Sequence, residues 1–391
     1  MTLQELMTRW NGYQIEMRRW FHQHPEESTK EVRTAERIRA ELDRASIPWR
    51  PCGLGTGTLA RIEGAQPGRT ILLRGDIDAL SVNEETGLPY ASEVPGVMHA
   101  CGHDCHISML LTAAMIVNEI RDRLKGTIVF AFQPAEELGL GARAMIEEGA
   151  LEGVDACFGM HVWSDYPAGT VALRKGPMMA SGDQFKIHVR GKSTHGAQPQ
   201  LGADALIMGA AIAQNLQTIV SRETYPGDTA VVTVGKFHSG TRFNVVAGTA
   251  ELEGTTRTFS PAVRDRFEEQ ITRIARSTAE AMRGTADVEY LRIVPVTVND
   301  PGMIDVVTGA AGKIFGDKGV IEADLQMGGE DFAFYQEKVP GAMVLLGVRN
   351  EACDAVWPQH HGCYKVDESV LVKGAALHVQ TALDFLGVDL Q

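Results

Sequence analysis

Residues 127–137 read TIVFAFQPAEE, an apolar run that is followed three residues later by two adjacent carboxylates. Similar apolar runs stand at 70–74 (TILLR), 156–162 (ACFGMHV) and 342–348 (AMVLLGV). Such near-continuous runs are typical of strands covered on both faces, and the helical patterns between them, clearest at 104–123, indicate alternation of strand and helix. The sequence therefore predicts an α/β fold with a mixed, largely parallel sheet and helices on both faces.

Two helices are expected before the first of these strands. Residues 3–22 carry large apolar side chains at helical spacing, which predicts an amphipathic helix. Ser28 and Glu31 have the spacing of a capping box, in which each side chain satisfies a backbone N–H group of the first helical turn. We therefore predict a second helix that opens at this pair and runs to about residue 45.

The segment from 180 to 295 has a different pattern, with long strands of alternating character. The predicted strands are 184–189, 231–237, 247–259 and 288–294, and the predicted helices are 203–222 and 261–284. The order β-α-β-β-α-β is that of a ferredoxin-like layer with one open sheet face. We therefore predict a discontinuous larger domain, residues 1–179 and 296–391, and an inserted ferredoxin-like α+β domain, residues 180–295.

The composition limits the classes of partner. Lys and Arg total 37 against 50 Asp and Glu, for a net charge of −13. Without a basic stretch, the chain is not expected to bind nucleic acid or an anionic membrane surface. The six Cys are irregularly spaced, which is not the pattern of a disulfide framework. Because residues 1–10 lack signal-peptide character and no apolar run approaches a membrane span, we expect a soluble, cytoplasmic protein.

Residues 98–106, MHACGHDCH, combine three imidazoles, two thiols and a carboxylate within nine positions. Imidazole and thiolate are common metal ligands. Cys101 and His103 are two positions apart, so both can point to one side of an extended or tightly turned segment. The stretch therefore indicates a metal site where a loop meets a helix. A buried loop with two free thiols and a structural zinc knuckle are the alternatives.

Polar side chains also stand at the end of each predicted strand of the larger domain or after it. They are Asp76 and Asp78, Glu136 and Glu137, His161, and His360 and His361. The carboxyl ends of parallel strands meet at one edge of a sheet, where α/β proteins place their sites. One such residue alone would be an ordinary loop charge or a satisfied histidine. Their convergence with Cys101 and His103 indicates a functional site at that edge.

Six motifs extend this pattern over the whole chain. They are RGDIDALSVNEETG (74–87), MHACGHD (98–104), FQPAEELGLGARAMIEEG (132–149), FGMHVW (158–163), GKSTHGAQP (191–199) and MGGEDFAFY (327–335). In order and spacing the chain resembles the M20 family of metallopeptidases, in particular its amidohydrolase branch of N-acyl-amino-acid, hippurate, auxin-conjugate and N-acetyl-diaminopimelate hydrolases. The resemblance implies that the larger domain is a metal-binding catalytic domain and that residues 180–295 form a lid and dimerisation domain.

The resemblance also implies a ligand set for two divalent metal ions per subunit, with zinc or manganese expected. The implied ligands are Cys101, His103, Glu137, His161 and a C-terminal histidine, His360 or, as second choice, His361. Cys101 stands where other branches of the family have a bridging Asp, so its thiolate is expected to span both metals. Thiolate is a softer bridge than carboxylate and favours zinc.

Catalytic roles follow from the same resemblance. Glu136 is implied as the general base that takes a proton from the attacking water and later protonates the leaving amine. Asp78 is implied to orient a ligand, and His195 to stabilise the oxyanion, often in the partner subunit's site. Arg242 and Asn244 are expected near the substrate's carboxylate, with ordinary loop polar groups as the alternative.

Two further acidic residues have no settled role in the sequence. Asp76 stands where sister branches have a metal-binding His, and a turn carboxylate is the other interpretation. Glu330, in the GGED loop at 328–331, is given no defined role.

The resulting expectation is a cytoplasmic, binuclear metallo-amidohydrolase. It would cleave an N-acyl-amino acid of the hippurate, N-acetyl or indole-acetyl type to a carboxylic acid and a free amino acid. An N-acetyl-diaminopimelate-type deacetylase and a non-catalytic metal-binding or regulatory protein are the alternatives. We expect a homodimer formed through the lid domain, with a higher oligomer also compatible, because an open edge strand can pair with a second copy.

Overall fold

The computed structural model describes residues 1–390. Its α-helices are α1 (Leu3–Gln23), α2 (Val32–Arg44), α3 (His103–Glu119), α4 (Gly141–Glu147), α5 (Ala205–Thr218), α6 (Pro261–Ala281), α7 (Pro301–Phe315), α8 (Ala333–Gln336) and α9 (Leu371–Leu386). Its strands are β1 (Trp49–Pro51), β2 (Thr58–Glu63), β3 (Gln66–Asp76), β4 (Lys125–Gln133), β5 (Ala156–Pro167), β6 (Val171–Leu173), β7 (Gly176–Met179), β8 (Ser181–Arg190), β9 (Ala230–Ser239), β10 (Thr249–Thr258), β11 (Thr285–Val294), β12 (Thr297–Asn299), β13 (Val320–Glu322) and β14 (Gly341–Arg349).

The chain divides into two compact units. The first comprises residues 1–176, 298–324 and those from 331 onward, and the second comprises residues 177–297 and 325–330. The assignment of the second unit as a lid and dimerisation domain stays a prediction. No helix along residues 1–390 is both long enough and apolar enough to cross a membrane.

The first unit is built on a mixed sheet with the strand order β1-β2-β4-β3-β5-β14-β6-β13. The four central strands, β4, β3, β5 and β14, are parallel to one another. On either side of them, β2 runs antiparallel to β4 and β6 runs antiparallel to β14. The four predicted apolar runs all lie in the parallel part. The prediction of a mixed, largely parallel α/β sheet is therefore confirmed.

The central strands are buried on both faces. In β4 every residue from Gly126 to Gln133 is buried, and because successive side chains point to opposite faces, both faces must be covered. The helices α3 and α9 pack against β3, β4 and β5, and α7 packs against β14. At the carboxyl end of the sheet, Asp76 is the register partner of Gln133, and His161 is that of Leu345. The parallel register thus brings the predicted site residues to one edge.

Helix α3 begins at the predicted metal-binding stretch. Its N-cap is Gly102, whose φ of +88° is unfavourable for residues with a side chain. A Cβ at this position would lie 2.5 Å from Cγ2 of Val162 and 3.0 Å from the hydroxyl of Tyr364. Every residue from His103 to Val117 is buried, so the helix runs through the core and its first turn is fixed from all sides.

The capping box predicted at Ser28 and Glu31 is not formed. Helix α2 begins later, at Val32, with Glu31 as its N-cap, and the Glu31 side chain makes no capping hydrogen bond within the described chain. Ser28 Oγ instead donates to Asp78 Oδ2 at 2.7 Å. The prediction was wrong because partners distant in the sequence bind both side chains, and local spacing gives no information about such partners.

The second unit has the predicted β-α-β-β-α-β order, from β8 through α5, β9, β10 and α6 to β11. Its antiparallel sheet has the order β11-β8-β10-β9. Along β8, Phe185, Ile187 and Val189 are buried with α5 and α6, whereas the alternate positions are more exposed. Ser260 caps α6 by accepting from Val263 N. This unit is therefore a ferredoxin-like layer, as predicted, with β9 and β11 at its edges.

Candidate metal centre

The donors predicted from the sequence converge around the Cys101 thiol. Its Sγ lies 3.4 Å from Nε2 of His161 and 3.3 Å from Nε2 of His360. Nε2 of His360 lies 3.5 Å from Oε1 of Glu137, and Nε2 of His103 lies 3.9 Å from the same oxygen. Two of the candidate metal-donor groups contain this thiol, one with His103 and His161 and the other with Glu137 and His360. The thiol is shared by both.

Four separate elements deliver these donors. Cys101 precedes α3 and His103 is its first residue, Glu137 follows β4, and His161 lies in β5. His360 lies in the loop after β14, in the left-handed region with φ of +65°, and its backbone N–H donates to Ala100 O at 2.8 Å. That hydrogen bond ties the C-terminal histidine to the loop that carries Cys101.

His361, the second choice, has other partners. Its ring stacks on Trp357 at 4.6 Å between centroids, and its Nδ1 accepts from the backbone N–H of Cys363 at 3.0 Å. Among the described residues, His361 belongs to none of the candidate donor groups, whereas His360 does. The geometry therefore favours His360 as the C-terminal donor.

The donor set fits divalent metal ions. Nε2 of His103 and Oε1 of Glu137 are buried and have no hydrogen-bond partner within residues 1–390, which is costly for polar atoms that nothing else satisfies. Burial and the charges of Glu137 and Glu136 raise the pKa of the Cys101 thiol well above its usual value, so a thiolate here requires a neighbouring cation. Thiolate, imidazole and carboxylate are the ligands of zinc sites.

Backbone carbonyls orient the two buried imidazoles. Nδ1 of His103 lies 2.9 Å from Asp78 O, and Nδ1 of His161 lies 2.6 Å from Val162 O. A carbonyl can only accept, so each Nδ1 carries the proton and donates it. With a metal ion bound, Nε2 of each ring would present its lone pair to that ion, as expected of metal-binding histidines.

Asp78 connects two of the predicted ligands. Its Oδ2 accepts from the backbone N–H of Glu137 at 3.1 Å, and its Oδ1 lies 3.2 Å from Nδ1 of His103. Burial opposes the charge of Asp78, but the hydrogen bond from His103 and the hydroxyl of Ser28 keep its pKa below the usual value. An ionised Asp78 therefore fixes His103 and Glu137 relative to each other.

Asp76 lies in a buried ion-pair network behind the donors. Arg74 donates to its Oδ2 at 2.6 Å, and Nδ1 of His106 contacts its Oδ1. Burial opposes ionisation, but the charge of Arg74 holds the pKa of Asp76 well below its usual value. Its Oδ2 is also 3.7 Å from Nε2 of His103, which places this carboxylate next to the predicted ligands.

His106 is a site residue that the sequence interpretation did not assign. It bridges Asp76 to the backbone N–H of Val162, which donates to its Nε2 at 2.9 Å. It therefore links β3 to the segment that carries His161. The motif MHACGHDCH contains it, three positions after His103, and helical spacing places those two side chains on one face.

The predicted general base lies within the same cluster. Carboxylate oxygens of Glu136 and Glu137 and a ring nitrogen of His103 lie within 4.8 Å of one another. Glu136 and Glu137 are adjacent after β4, so one carboxylate can face the ligands while the other faces outward. The division of roles between them stays a prediction.

The other predicted residues belong to the second unit. His195 pairs with Val245 in an isolated antiparallel bridge, and the backbone N–H of Gly196 donates to Asn244 O at 2.8 Å. His195 and the loop that carries Arg242 and Asn244 therefore lie together within this unit. The predicted roles of His195, Arg242 and Asn244 toward substrate stay predictions, and Glu330 is still given no defined role.

Comparisons with known proteins agree with this geometry. Residues 72–384 match the model of peptidase family M20/M25/M40. N-acetyl-L-cysteine deacetylase of Bacillus subtilis is 41% identical over 368 residues, covering 94% of this chain and 87% of the relative. IAA-amino acid hydrolase ILR1-like 4 of Arabidopsis thaliana is 36% identical over 378 residues, covering 96% of this chain and 86% of the relative. A dinuclear metal-binding M20 peptidase of Bacillus subtilis superposes with a TM-score of 0.86 at 36% identity, covering 98% of this chain and 100% of that one.

Proposed function

Because this chain belongs to peptidase family M20/M25/M40 and is a metal-dependent hydrolase of amide bonds, we propose that its substrates are N-acyl-amino acids. The products would be a carboxylic acid and a free amino acid. The observation that carries this proposal is the Cys101 thiol, shared by two donor groups, with the Glu136 carboxylate in the same cluster. The relatives named for N-acetylcysteine and for IAA-amino acids support an acyl-amino acid as the common substrate type.

The ligands in this proposal are Cys101, His103, Glu137, His161 and His360, which would hold two divalent ions, zinc or manganese. Such ions polarise an amide carbonyl and lower the pKa of a coordinated water from about 15.7 toward about 7. The softness of the shared thiolate favours zinc. Asp78 and the carbonyl of Val162 keep the imidazoles of His103 and His161 in the required tautomer.

The protein's own groups then move the proton. Glu136 accepts a proton from the attacking water while the water oxygen bonds to the amide carbon. The same carboxyl group then gives that proton to the amine nitrogen as the C–N bond breaks. Glu137, held through its backbone N–H by Asp78, stays with the ligands and takes no part in the proton transfer.

The second unit supplies the remaining groups in this proposal. His195 stabilises the oxyanion of the tetrahedral intermediate, and Arg242 and Asn244 receive the carboxylate of the amino-acid part. We propose a homodimer formed through an edge strand of this unit. Strand β9 lies at the edge of its sheet and is exposed at most positions after Val232, as an edge open to pairing would be.

The test is chelation and restoration with a substrate panel. The purified protein is stripped with EDTA, its metal content is measured, and zinc or manganese is restored. Hippurate, N-acetyl-amino acids, indole-acetyl-amino acids and N-acetyl-diaminopimelate are then assayed, with Glu136→Gln prepared in parallel as the inactive control. Activity that persists after metal loss would contradict the proposed chemistry. Hydrolysis of dipeptides alone would contradict the proposed substrate class.

A further inference from the structure

We infer that Glu31 is a positioning residue for Glu136, acting through the backbone of Ala135. This inference rests on the proposed function, in which Glu136 moves the proton. Glu31 is fully buried in the first unit, just before α2. Its Oε1 accepts from the backbone N–H of Ala135 at 2.9 Å, although the two residues are 104 positions apart.

The turn that Glu31 holds has an unusual backbone. Ala135 has φ of +50°, in the left-handed region that residues with a side chain rarely adopt. It directly precedes Glu136, so any change in its φ and ψ angles swings the Glu136 carboxylate. The turn continues through a hydrogen bond from Gly139 N to Glu136 O at 2.7 Å. A strained residue persists only where its surroundings hold it, and the hydrogen bond that Ala135 N–H donates to Glu31 is one such restraint.

The backbone N–H groups on either side of Glu136 are both bound by buried carboxylates. Ala135 N–H donates to Glu31, and Glu137 N–H donates to Asp78 Oδ2 at 3.1 Å. Asp78 fixes the metal-ligand side of the turn, whereas Glu31 fixes the side that leads into Glu136. Asp78 therefore restrains the part of the turn that binds metal, and Glu31 restrains the part that transfers the proton.

The remaining hydrogen bonds of Glu31 keep its carboxylate in place. Oε1 also accepts from the backbone N–H of Thr29 at 2.9 Å, and Oε2 accepts from the Thr56 hydroxyl at 2.9 Å. A glutamine could reproduce this pattern, because its carbonyl oxygen accepts from both N–H groups and its NH₂ donates to the Thr56 oxygen. An aspartate could not, since its carboxylate is one methylene shorter.

The experiment compares length with charge at this position. We expect Glu31→Ala and Glu31→Asp to lower kcat about 10- to 100-fold, because a displacement of about 1 Å at a catalytic group can have an effect of that size. KM should change by less than about twofold, and metal content should match the wild type, since the ligand side of the turn is untouched. Glu31→Gln should retain kcat within about threefold. Glu31→Asp keeps the charge, so it provides the test if the Glu31→Ala variant does not fold.

Glu41 provides the matched control. It lies on α2, its side chain is 1% exposed, and it pairs with Arg37 and Arg44 rather than with the site. Glu41→Ala should lower the Tm by breaking the ion pairs with Arg37 and Arg44, but leave kcat unchanged. Equal losses of kcat in the Glu41 and Glu31 variants would mean that Glu31 contributes only to the overall stability of the fold, and would overturn the inference. So would a Glu31→Gln variant as impaired as Glu31→Ala.

Hydrogen exchange tests the restraint without any assay of activity. In Glu31→Ala and Glu31→Asp, amides of residues 135–141 should exchange faster than in the wild type, in Glu31→Gln and in Glu41→Ala. Unchanged exchange would overturn the inference. If the wild type hydrolyses no acyl-amino acid, the proposed function fails. If it hydrolyses one and Glu31→Asp matches its kcat, only the role of Glu31 fails.

Discussion

Adjacent glutamates at positions 136 and 137 are expected to do different work, and substitution separates them. Glu136→Gln should lower kcat by about 10²–10⁴-fold with metal content near that of the wild type, because only the proton transfer is removed. Glu137→Gln should lose metal, because it removes a carboxylate oxygen next to His360 and His103. Elemental analysis and steady-state kinetics on both variants measure this. Metal loss in Glu136→Gln would show that the two roles are assigned the wrong way round.

The Cys101 thiol has a matched partner in Cys157, which is fully buried in β5. Cys101→Ser should weaken metal binding and abolish most activity, because the thiol is common to both donor groups. Cys157→Ser should change only stability, since burial alone raises the pKa of that thiol and keeps it neutral. Metal titrations and thermal unfolding of the two variants give the comparison. Equal metal content in Cys101→Ser and the wild type would refute a bridging thiolate.

Thiol oxidants provide a second measurement on the same residue. At a pH high enough to ionise the Cys101 thiol, whose pKa is raised in the metal-free protein, they should inactivate that protein faster than the metal-loaded one, because a bound metal occupies the thiolate. Inactivation rates followed with and without EDTA make the test. Equal rates would mean that the reactive thiol is not a ligand.

Individual site residues could be predicted where a short stretch of sequence contains several residue types that bind metals. Cys101, His103 and Glu137 stand in motifs whose residue types are metal ligands, and the structure brings them together. Glu31 and His106 could not be assigned in this way. Their partners, Ala135 and Asp76, are distant in the sequence, and a carboxylate or an imidazole gives no sign of which remote group it will bind.

At the scale of the element, the start of α3 depends on Gly102. We expect Gly102→Ala to lower the free energy of unfolding by more than the cost of about 1–2 kcal/mol for a left-handed alanine, because its Cβ would clash with Val162 at 2.5 Å. Metal affinity should fall as well, since Cys101 and His103 flank this residue. Urea unfolding and metal titration measure both effects.

Gly153 is the matched control for this substitution. Its φ is +70°, but a Cβ there would meet no atom within 4 Å among the described residues. Gly153→Ala should therefore show the conformational cost alone and normal metal affinity. If the two alanine variants are equally stable and bind metal equally well, the close approach of Val162 to Gly102 does not determine the geometry of the metal ligands.

Elements were predictable where a periodic pattern extends over many residues. The buried parallel strands and the ferredoxin-like layer were recognised because a long apolar or alternating run averages out local exceptions. Helix ends were less well predicted, since they depend on a few hydrogen bonds. The predicted helix 104–123 is α3 at His103–Glu119 followed by a 3₁₀ turn at Arg121–Arg123, and α2 opens at Val32 rather than at the Ser28 box.

For the whole molecule, the order of elements and the sharp change of pattern near residues 180 and 295 were enough to predict an α/β fold with an inserted layer. The strand order could not be derived in the same way. The place of β14 between β5 and β6 depends on long-range pairing, for which a single sequence carries no direct evidence. Whether His195 of one subunit reaches the metal centre of another also depends on strand pairing, in this case between two copies of the chain.

The last prediction concerns two copies of the chain. Strands β9 and β11 form the edges of the second unit's sheet, and pairing of one edge with a second copy would give a twofold dimer. If His195 then serves the partner's metal centre, mixing Glu136→Gln with His195→Ala subunits should restore activity. In each heterodimer one site has an intact Glu136 and receives an intact His195, whereas the other site lacks both.

Random assortment fixes the size of the recovery. About half of the dimers are mixed and each has one complete site of two, so activity should approach about one quarter of the wild-type value. Subunit exchange is verified by mass spectrometry of the intact dimers, and each variant alone is the control. Exchange without recovered activity would place His195 in the site of its own subunit or outside the chemistry, since only a group supplied across the dimer can be restored by mixing.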